Sequence, residues 1–415
     1  MTIQHFLRSF YPAALLVALV VPVHLAAQQQ ARARTAVRFP HYVVEDLGTL
    51  GGPYSFSYNL NRAGVVSGGS ATATQNGDPS QAVVNAPQTA FLWGHGRLRN
   101  LGTLGGPDSV GAAANLSGLA VIDSETETLS RQGEDVCAFG NHLQCLAAIW
   151  KDGRLTELPL LAGGNNSYAM DMNDRGQIVG FADTDDYDPD CAATTTTGFR
   201  FQTVIWEPNG RVRQLPPLDG DTVANPFGIN NKGQVVGNSG VCGGLTPPPY
   251  VTPSHAVLWE RDGTAVDLGG GPGSAAVAIN DHSDVSGDLS TADGSPRPFL
   301  WTPESRTLVQ LNPPDGFPVA VNDCCKTINN RREIVGFMLD VSGNSHAFLW
   351  KKGVMIDLND LIPKGSPWML LQAAGINDSG QIAGTGLING EVHAFLATPC
   401  HRHEGRGECC ENDDH

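Results

Sequence analysis

Apolar positions along the chain fall into short runs bounded by Gly, Asn or Pro, and four kinds of run recur in a constant order. The first ends in Asn, as at residues 373–377, and the second resembles Gln-Val-Val-Gly, as at 234–237. The third carries a tryptophan, as in His-Ala-Phe-Leu-Trp at 346–350, and the fourth reads Gly-x-x-x-Asp-Leu, as at 353–358. Short runs separated by turn residues predict β-strands.

The four runs form one unit that is repeated seven times. Each unit is marked by an Asn that closes its first strand, and successive copies lie 48 to 58 residues apart, at Asn61, Asn115, Asn173, Asn230, Asn280, Asn329 and Asn377. A period of this size indicates a repeat architecture.

The tryptophan-bearing run is apolar on both of its faces, although side chains along a strand alternate between the two. A strand in the middle of a sheet that is covered on both sides has this pattern. Six of the seven tryptophans stand at this one position, so packing between sheets is favoured over a ligand platform for Trp93, Trp150, Trp206, Trp259, Trp301 and Trp350.

The connection between the first and second strands often reads Asn-Asp-x-Gly, which is hairpin chemistry with Gly in the left-handed position. Units five and six carry Ser283 and Arg332 there, so we expect those turns to be strained or differently shaped. The innermost strand needs small side chains near a central axis. The position four before each repeat Asn fits, with Ser57, Gly111, Ala169, Pro226, Ala276, Cys325 and Ala373.

The two ends of the repeat region predict ring closure. Residues 42–47 are a lone copy of the fourth strand, whereas the seventh unit stops at Ala397 without one. If the N-terminal strand completes the last sheet, no open edge remains. The prediction is therefore an all-β fold, a seven-bladed β-propeller over residues 42–398 with four-stranded blades and the last blade closed by the N-terminal strand.

The His-Ala-Phe triplets at His346 and His393, with Asp-Leu-Gly-Thr-Leu-Gly-Gly at 46–52 and its near-copy at 100–106, resemble the bacterial extracellular HAF repeat family. The resemblance covers nearly all of the chain after residue 27. It implies export and a repeat fold, and it carries no established activity.

Composition agrees with a turn-dense β protein, because the chain contains 49 Gly and 27 Pro and only 16% charged residues. With 26 Lys and Arg against 42 Asp and Glu, the formal net charge is −16. This charge disfavours nucleic acid and anionic lipid as partners.

The first 27 residues have the pattern of a secretory signal peptide, with Arg8 before an apolar run at 13–23 and the small pair Ala26-Ala27. The run is shorter than the roughly 20 residues of a membrane span, and an uncleaved anchor is the alternative. We expect a secreted or periplasmic monomer with a linker at 28–41 and no membrane span after signal removal.

The tail at residues 399–415 holds three Cys and three His among several carboxylates. Zinc or copper binding is one interpretation of these donors. A disordered polar end with one disulfide is favoured by composition.

Long connections join strands 2 and 3 within a unit and strand 4 to the next unit, and in a propeller both classes emerge on one face. We call it the long-loop face and expect binding there. Its segments are residues 70–89, 123–146, 181–202, 238–254 and 361–368.

One of these segments contains five carboxylates within eight residues and is the candidate calcium site. The carboxylates belong to Asp183, Asp185, Asp186, Asp188 and Asp190. The sixth and twelfth places of an EF-hand loop hold Asp188 and Thr194 instead of Gly and Glu, so a solvated acidic loop is the alternative.

Cysteines cluster on the same face, and nine in an exported chain indicate disulfides. We predict the pairs Cys137 with Cys145 and Cys191 with Cys242. Free thiols acting as metal ligands are the poorer alternative, because the chain has no Cys-x-x-Cys spacing.

No Gly-x-Ser-x-Gly, His-Glu-x-x-His or phosphate-loop pattern occurs. The repeated His255, His346 and His393 favour a shared structural hydrogen bond over three catalytic bases. Tyr187 and Trp368 are the aromatic candidates for ligand contact, with partial burial as the alternative for Trp368.

The sequence therefore predicts a non-enzymatic binding module for an extracellular glycan or protein. One alternative is a polysaccharide hydrolase or lyase with carboxylates at the central channel. The other is a structural surface repeat protein.

Overall fold

The computed structural model describes residues 37–72, 87–191, 198–242, 255–290, 296–313, 319–321 and 326–400. The predicted signal peptide at 1–27, the linker up to residue 36 and the tail from 401 lie outside the described residues. Cys325, predicted as a small residue near the axis, also lies outside them.

Twenty-eight strands form seven antiparallel sheets of four strands each, here called blades 1 to 7. Blades 1 to 4 comprise β2 (Ser55–Leu60), β3 (Val66–Ala71), β4 (Gln88–Gly94), β5 (Arg97–Gly102); β6 (Gly105–Ala114), β7 (Ala120–Leu129), β8 (Leu143–Lys151), β9 (Arg154–Glu157); β10 (Ser167–Met172), β11 (Ile178–Tyr187), β12 (Phe199–Trp206), β13 (Val212–Leu215); and β14 (Val223–Ile229), β15 (Val235–Gly240), β16 (His255–Trp259), β17 (Ala265–Asp267). Blades 5 to 7 comprise β18 (Ser274–Ile279), β19 (Val285–Ser290), β20 (Pro296–Trp301), β21 (Leu308–Gln310); β22 (Val319–Ala320), β23 (Ile334–Leu339), β24 (Ser345–Lys351), β25 (Val354–Asp357); and β26 (Trp368–Ile376), β27 (Ile382–Ile388), β28 (Glu391–Pro399) with β1 (Tyr42–Asp46).

The ring closes as predicted, because β1 is the outermost strand of blade 7 and pairs with β28 from the far end of the chain. The pairing is antiparallel, and its register runs from Tyr42 opposite Pro399 to Asp46 opposite Phe395. The innermost strand of blade 1 in turn packs against blade 7. The fold is therefore a seven-bladed β-propeller.

The hydrophobic core lies between adjacent blades, and the repeated tryptophans are part of it. Their exposed fractions range from 0% for Trp259 to 8% for Trp350, which confirms the packing role. In blades 3 and 4 the indole N–H also donates to a carbonyl oxygen, from Trp206 to Pro159 and from Trp259 to Pro216.

The unusual turns are confirmed. Ser283 and Arg332 have φ angles of 74° and 58°, in the left-handed region where the other units place Gly. Both side chains are tied down, since Ser283 Oγ donates to Gln234 Oε1 and the Arg332 guanidinium donates to Asp284. These contacts hold a backbone conformation that is costly for a residue with a side chain.

The repeat asparagines form a belt around the tight-turn end of the channel. Each Asn Oδ1 accepts the backbone N–H groups two and four residues ahead, as Asn377 does from Ser379 and Gln381. In six of the seven blades the Nδ2 donates to the carbonyl of the next repeat Asn, as from Asn377 to Asn61 at 3.2 Å. The corresponding donors in the other blades are Asn61, Asn173, Asn230, Asn280 and Asn329.

Asn115 is the exception, because its Nδ2 is buried without a hydrogen-bond partner among the described residues. The belt is therefore interrupted between blades 2 and 3.

The small inner-strand residues face a glycine on the second strand of the same blade. In blade 4 Pro226 lies opposite Gly237, and a Cβ on Gly237 would overlap the Asn225 carbonyl oxygen. Blade 2 reverses the arrangement, with Gly111 on the inner strand opposite Ile122. Small residues are needed here because the inner strand bulges between residues 226 and 228, and likewise in other blades.

Candidate functional site

The four strands of each blade are antiparallel. The connections from the second to the third strand, and from one blade to the next, therefore begin and end at the same face of the ring, as the sequence predicts. β7 and β11 are ten residues long, whereas the second strands of the other blades have six or seven residues, and the last three residues of both long strands are exposed. The loop at residues 130–142 joins β7 to β8 and is here called the blade 2 loop. Blades 2 and 3 therefore supply the most extended part of the face that the structure describes.

Both predicted disulfides are confirmed. Cys137 and Cys145 close the blade 2 loop onto β8, with a Cα–Cα distance of 5.5 Å. Cys191 and Cys242 join blade 3 to blade 4, with a Cα–Cα distance of 4.6 Å. The second disulfide is buried in a cluster with Phe181, Phe201 and Val223, so it anchors the acidic segment at its end.

Two of the five carboxylates in the acidic segment are buried and hold the backbone. Asp183 Oδ1 accepts the N–H groups of Asn165 and Asn166 at 2.6 and 2.8 Å, and its Oδ2 lies 3.2 Å from Arg131. Asp188 Oδ2 accepts two hydrogen bonds from Arg200. These two carboxylates are neutralised by arginines.

The five carboxylates do not converge. Asp183 and Asp188 are buried, whereas Asp185, Asp186 and Asp190 are exposed. The pairing of β11 with β12 is irregular between Asp183 and Tyr187, so these side chains do not share one face of a regular strand. Within the described residues, the one cluster at metal-ligand spacing is Asp188 with Cys191 and Cys242, whose sulfurs form a disulfide. Calcium binding by the acidic segment stays a prediction, and this geometry gives it no set of ligands.

Tyr187 is the aromatic candidate that the face presents to solvent, with 64% of its surface exposed. Its ring meets Phe199 edge to face at 6.1 Å, and the Arg131 guanidinium lies 3.7 Å from the centre of the Phe199 ring. Gly198 leaves room for the tyrosine, because a Cβ there would lie 2.6 Å from a ring carbon. The exposed ring of Tyr187 thus packs on Phe199, whose own ring contacts Arg131.

Trp368 lies elsewhere. It is 9% exposed, begins the inner strand of blade 7 and packs edge to face on Phe395 at 5.9 Å. Burial agrees with the alternative interpretation, and this tryptophan offers no open ring face for stacking.

The repeated histidines have structural partners. His346 Nδ1 lies 2.8 Å from Asp357 Oδ2, and His393 Nδ1 lies 2.9 Å from Asp46 Oδ1. In both blades the histidine of the third strand meets the aspartate of the fourth. The shared hydrogen bond is confirmed in these two blades, and it explains why His-Ala-Phe and Asp-Leu occur together. In blade 4, His255 Nδ1 lies 3.7 Å from Asp221 Oδ2, so His255 has a different partner, outside the fourth strand.

Sequence reasoning missed a carboxylate pair on blade 2. Asn141 Nδ2 donates to Asp108 Oδ2 at 2.8 Å and to Glu125 Oε2 at 2.9 Å. Burial raises the pKa of Glu125 to about 7, the Asn141 hydrogen bond opposes this, and the charges of Asp108 and Asp135 add to it. The available signal was the change from Gly-Gly-Pro-Tyr-Ser at 51–55 to Gly-Gly-Pro-Asp-Ser at 105–109.

A second missed group lies in the central channel. Asp171, on the inner strand of blade 3, accepts from Asn59 at 3.3 Å and lies 3.8 Å from Lys326 Nζ. Burial raises the pKa of Asp171, and Lys326 opposes the rise. An amide and an ammonium thus surround this carboxylate, which is not the carboxylate pair that glycoside hydrolysis requires.

At the opposite mouth of the channel, Arg62 extends to Asp174 and Asp281. Asn231 Nδ2 donates to the same two carboxylates at 3.0 and 3.1 Å. The tight-turn mouth is therefore crossed by an internal ion pair.

The fold is shared with enzymes of known structure. A puromycin-hydrolysing peptidase from Mycobacterium tuberculosis superposes with a TM-score of 0.50 at 12% identity, over 84% of this chain and 53% of that one. A puromycin hydrolase gives 0.47 at 13% identity, over 83% and 51%, and a Trypanosoma rangeli sialidase gives 0.37 at 12%, over 74% and 55%.

This chain spans about half the length of these structures, and at 12% identity the likeness to the peptidase shows the fold alone. No family model and no curated sequence matches the chain. Within the described residues, the structure contains no helix of sufficient length and apolarity to cross a bilayer.

Proposed function

We propose that the protein is an exported binding module of the HAF repeat type that recognises an extracellular glycan or protein through its long-loop face. The observation that carries the proposal is Tyr187, an exposed ring supported by Phe199 and Arg131 on a segment anchored by a disulfide. Export is supported by the leader pattern and by the two disulfides.

The surroundings of Tyr187 favour a glycan over a protein. Asp185 and Asp186 precede it on the same strand and are exposed, and neither forms an ion pair among the described residues. An aromatic ring can stack on the C–H face of a sugar while carboxylates accept hydrogen bonds from its hydroxyls. Preorganised loops reduce the entropy lost on binding.

The enzyme alternative has less support. The solved neighbours include peptidases and a sialidase, and a polysaccharide hydrolase would place paired carboxylates in an open pocket. Asp171 is paired with Lys326, and Glu125 is fully buried. A surface repeat protein would instead require self-association.

The test is a screen of residues 28–415 against polysaccharides and surface proteins, with and without EDTA. We expect binding to a glycan without release of reducing ends, and Tyr187→Ala should weaken it about tenfold. Val341→Ala is the matched control, because Val341 is 87% exposed on the β23–β24 connection of the same face.

Absence of binding to both classes would contradict the proposal, as would equal affinity of Tyr187→Ala and the parent protein. Cleavage of a polysaccharide would establish the enzyme alternative. Concentration-dependent assembly without ligand binding would support the surface repeat alternative.

A further inference from the structure

We propose that Asp108, Glu125 and Asp135, together with the amide of Asn141, form a site for a hard divalent cation, with calcium as the best fit. The site lies at the long-loop end of blade 2, one blade before the acidic segment at 183–190. It does not depend on the proposed function.

Two carboxylate oxygens of this cluster are buried without a hydrogen-bond partner among the described residues. Glu125 is fully buried, and its Oε1 has no hydrogen-bond partner among the described residues, while its Oε2 accepts from Asn141. Asp135 shows the same division, with Oδ2 bound to the Gly140 N–H and Oδ1 buried without a partner. A buried oxygen without a partner is costly unless a ligand or water satisfies it.

The amide of Asn141 lies between two of the carboxylates. Its Nδ2 donates to one oxygen of Asp108 and one of Glu125 and so lies between two carboxylates on the paired strands β6 and β7, next to the Ser109–Ser124 pair. A donor between two anions occupies a place suited to a cation. Rotation of the amide would present Oδ1 instead, and amide oxygens are ordinary calcium ligands.

The cluster combines three acidic side chains. Asp108 and Asp135 both act on Glu125 by repulsion, and in the described part of the chain none of the three forms an ion pair. Three carboxylates without an ion-paired arginine or lysine among the described residues match the oxygen-rich, anionic sites of calcium. The arginine nearest in sequence, Arg131, is committed to Asp183.

The ligands come from three segments that are already held together. Glu125 lies opposite Cys145 in the β7–β8 ladder, and the Cys137–Cys145 disulfide closes the loop that carries Asn141. Asp108 Oδ1 accepts from the Gln88 N–H of blade 1 at 2.7 Å. The oxygens of Asp108, Glu125 and Asp135 do not lie at metal-ligand spacing in this structure. Binding an ion therefore requires rotation of the Asn141 amide and movement of the three carboxylates toward one another, while the backbone frame is already formed.

Blade 1 shows that the arrangement is local. Tyr54 stands at the place of Asp108 and Ala71 at the place of Glu125, as the matching pairs Ser55–Ser70 and Ser109–Ser124 establish. Tyrosine and alanine supply no carboxylate. The repeat architecture thus does not require acids at these positions.

The test is isothermal titration of EDTA-treated residues 28–415 with CaCl₂, together with the melting temperature with and without the ion. We expect one site with a dissociation constant of about 10⁻⁴ to 10⁻³ M, the range of extracellular modules, and a rise in melting temperature. Glu125→Gln and Asp135→Asn should each weaken binding at least tenfold. If Glu125→Gln fails to fold, Asp135→Asn decides, because Asp135 is partly exposed.

The matched control is the double variant Asp185→Asn with Asp186→Asn, which removes two exposed carboxylates from the acidic segment. It should retain the calcium response. The proposal is overturned if the parent protein shows no heat and no thermal shift at 10 mM calcium, or if both site variants respond like the parent. It is also overturned if the response disappears in the control variant.

Discussion

At the scale of single residues, the repeat asparagine does more than its turn requires. Sequence patterns assign it to a hairpin, and its Oδ1 does cap that turn, but its Nδ2 also binds the neighbouring blade. One side chain thus fixes both the local turn and the seam between blades. The second role could not be predicted, because it depends on the distance between blades.

Asn377→Ala is expected to lower the free energy of unfolding by about 2 to 3 kcal/mol, because it removes buried hydrogen bonds to its own turn and to Asn61. Asn115→Ala is the control and should cost less, since Asn115 makes the turn contacts but no contact through Nδ2 among the described residues. Urea denaturation measures both. Equal losses would contradict a contribution from the belt.

Glu333 gives a residue-scale prediction on pH. Burial would raise its pKa, but hydrogen bonds from Asn329, Arg331 and Lys351 outweigh burial and hold the pKa below its usual value. A lowered pKa contributes stability above the unfolded value of about 4.5, and that stability is lost as pH falls through the folded pKa.

Glu333→Gln should therefore be less stable than the parent at pH 7, and the difference should shrink toward pH 3. Urea midpoints measured from pH 7 to 3 test this expectation. A difference that stays constant with pH would show that packing, and not charge, accounts for the effect.

At the scale of elements, the disulfides act on loops of different length. Cys191 and Cys242 are 51 residues apart, whereas Cys137 and Cys145 are 8 apart. The chain-entropy model gives about 4 kcal/mol for the longer loop and about 2.5 kcal/mol for the shorter one.

Replacing Cys191 and Cys242 by Ala should accordingly destabilise the protein more than replacing Cys137 and Cys145 by Ala. Thermal denaturation of the two double variants under identical conditions makes the comparison. The reverse order would indicate that local packing of the blade 2 loop dominates.

The elements also show where sequence reasoning stops. Strand patterns, turn chemistry and the buried tryptophans could be predicted because each follows from local periodicity. The cluster of Asp108, Glu125 and Asn141 could not, because it depends on the conformation of a long connection and on two long strands. The sequence indicates both Tyr187 and Trp368 as aromatic candidates for ligand contact, and only the tertiary packing shows that Tyr187 is exposed and Trp368 is buried.

At the scale of the whole molecule, stability depends on β1, which comes from the opposite end of the chain to its partner β28. The pairing of β1 with β28 could be predicted, because the seventh unit has no fourth strand of its own and the N-terminal copy at residues 42–47 can supply it. Without β1, β28 would present an unpaired edge, which favours association between molecules.

A chain beginning at residue 48 should therefore unfold at lower temperature and form oligomers, whereas one beginning at residue 40 should remain monomeric. Size-exclusion chromatography and the melting temperature test both. A monomeric, equally stable chain lacking residues 40–47 would contradict the closure argument.

The break in the asparagine belt at Asn115 does not coincide with the place where the two ends of the chain meet. Where the chain ends meet, Asn377 Nδ2 donates a hydrogen bond to the Asn61 carbonyl. The break in the belt lies between blades 2 and 3, which follow each other along the chain. There, on the other face, Arg131 and Glu134 of the blade 2 loop bind Asp183 and Asn166. The missing asparagine contact is thus remote from the closure of the ring, and the contact between blades 2 and 3 depends instead on the blade 2 loop, at the face that we propose for ligand binding.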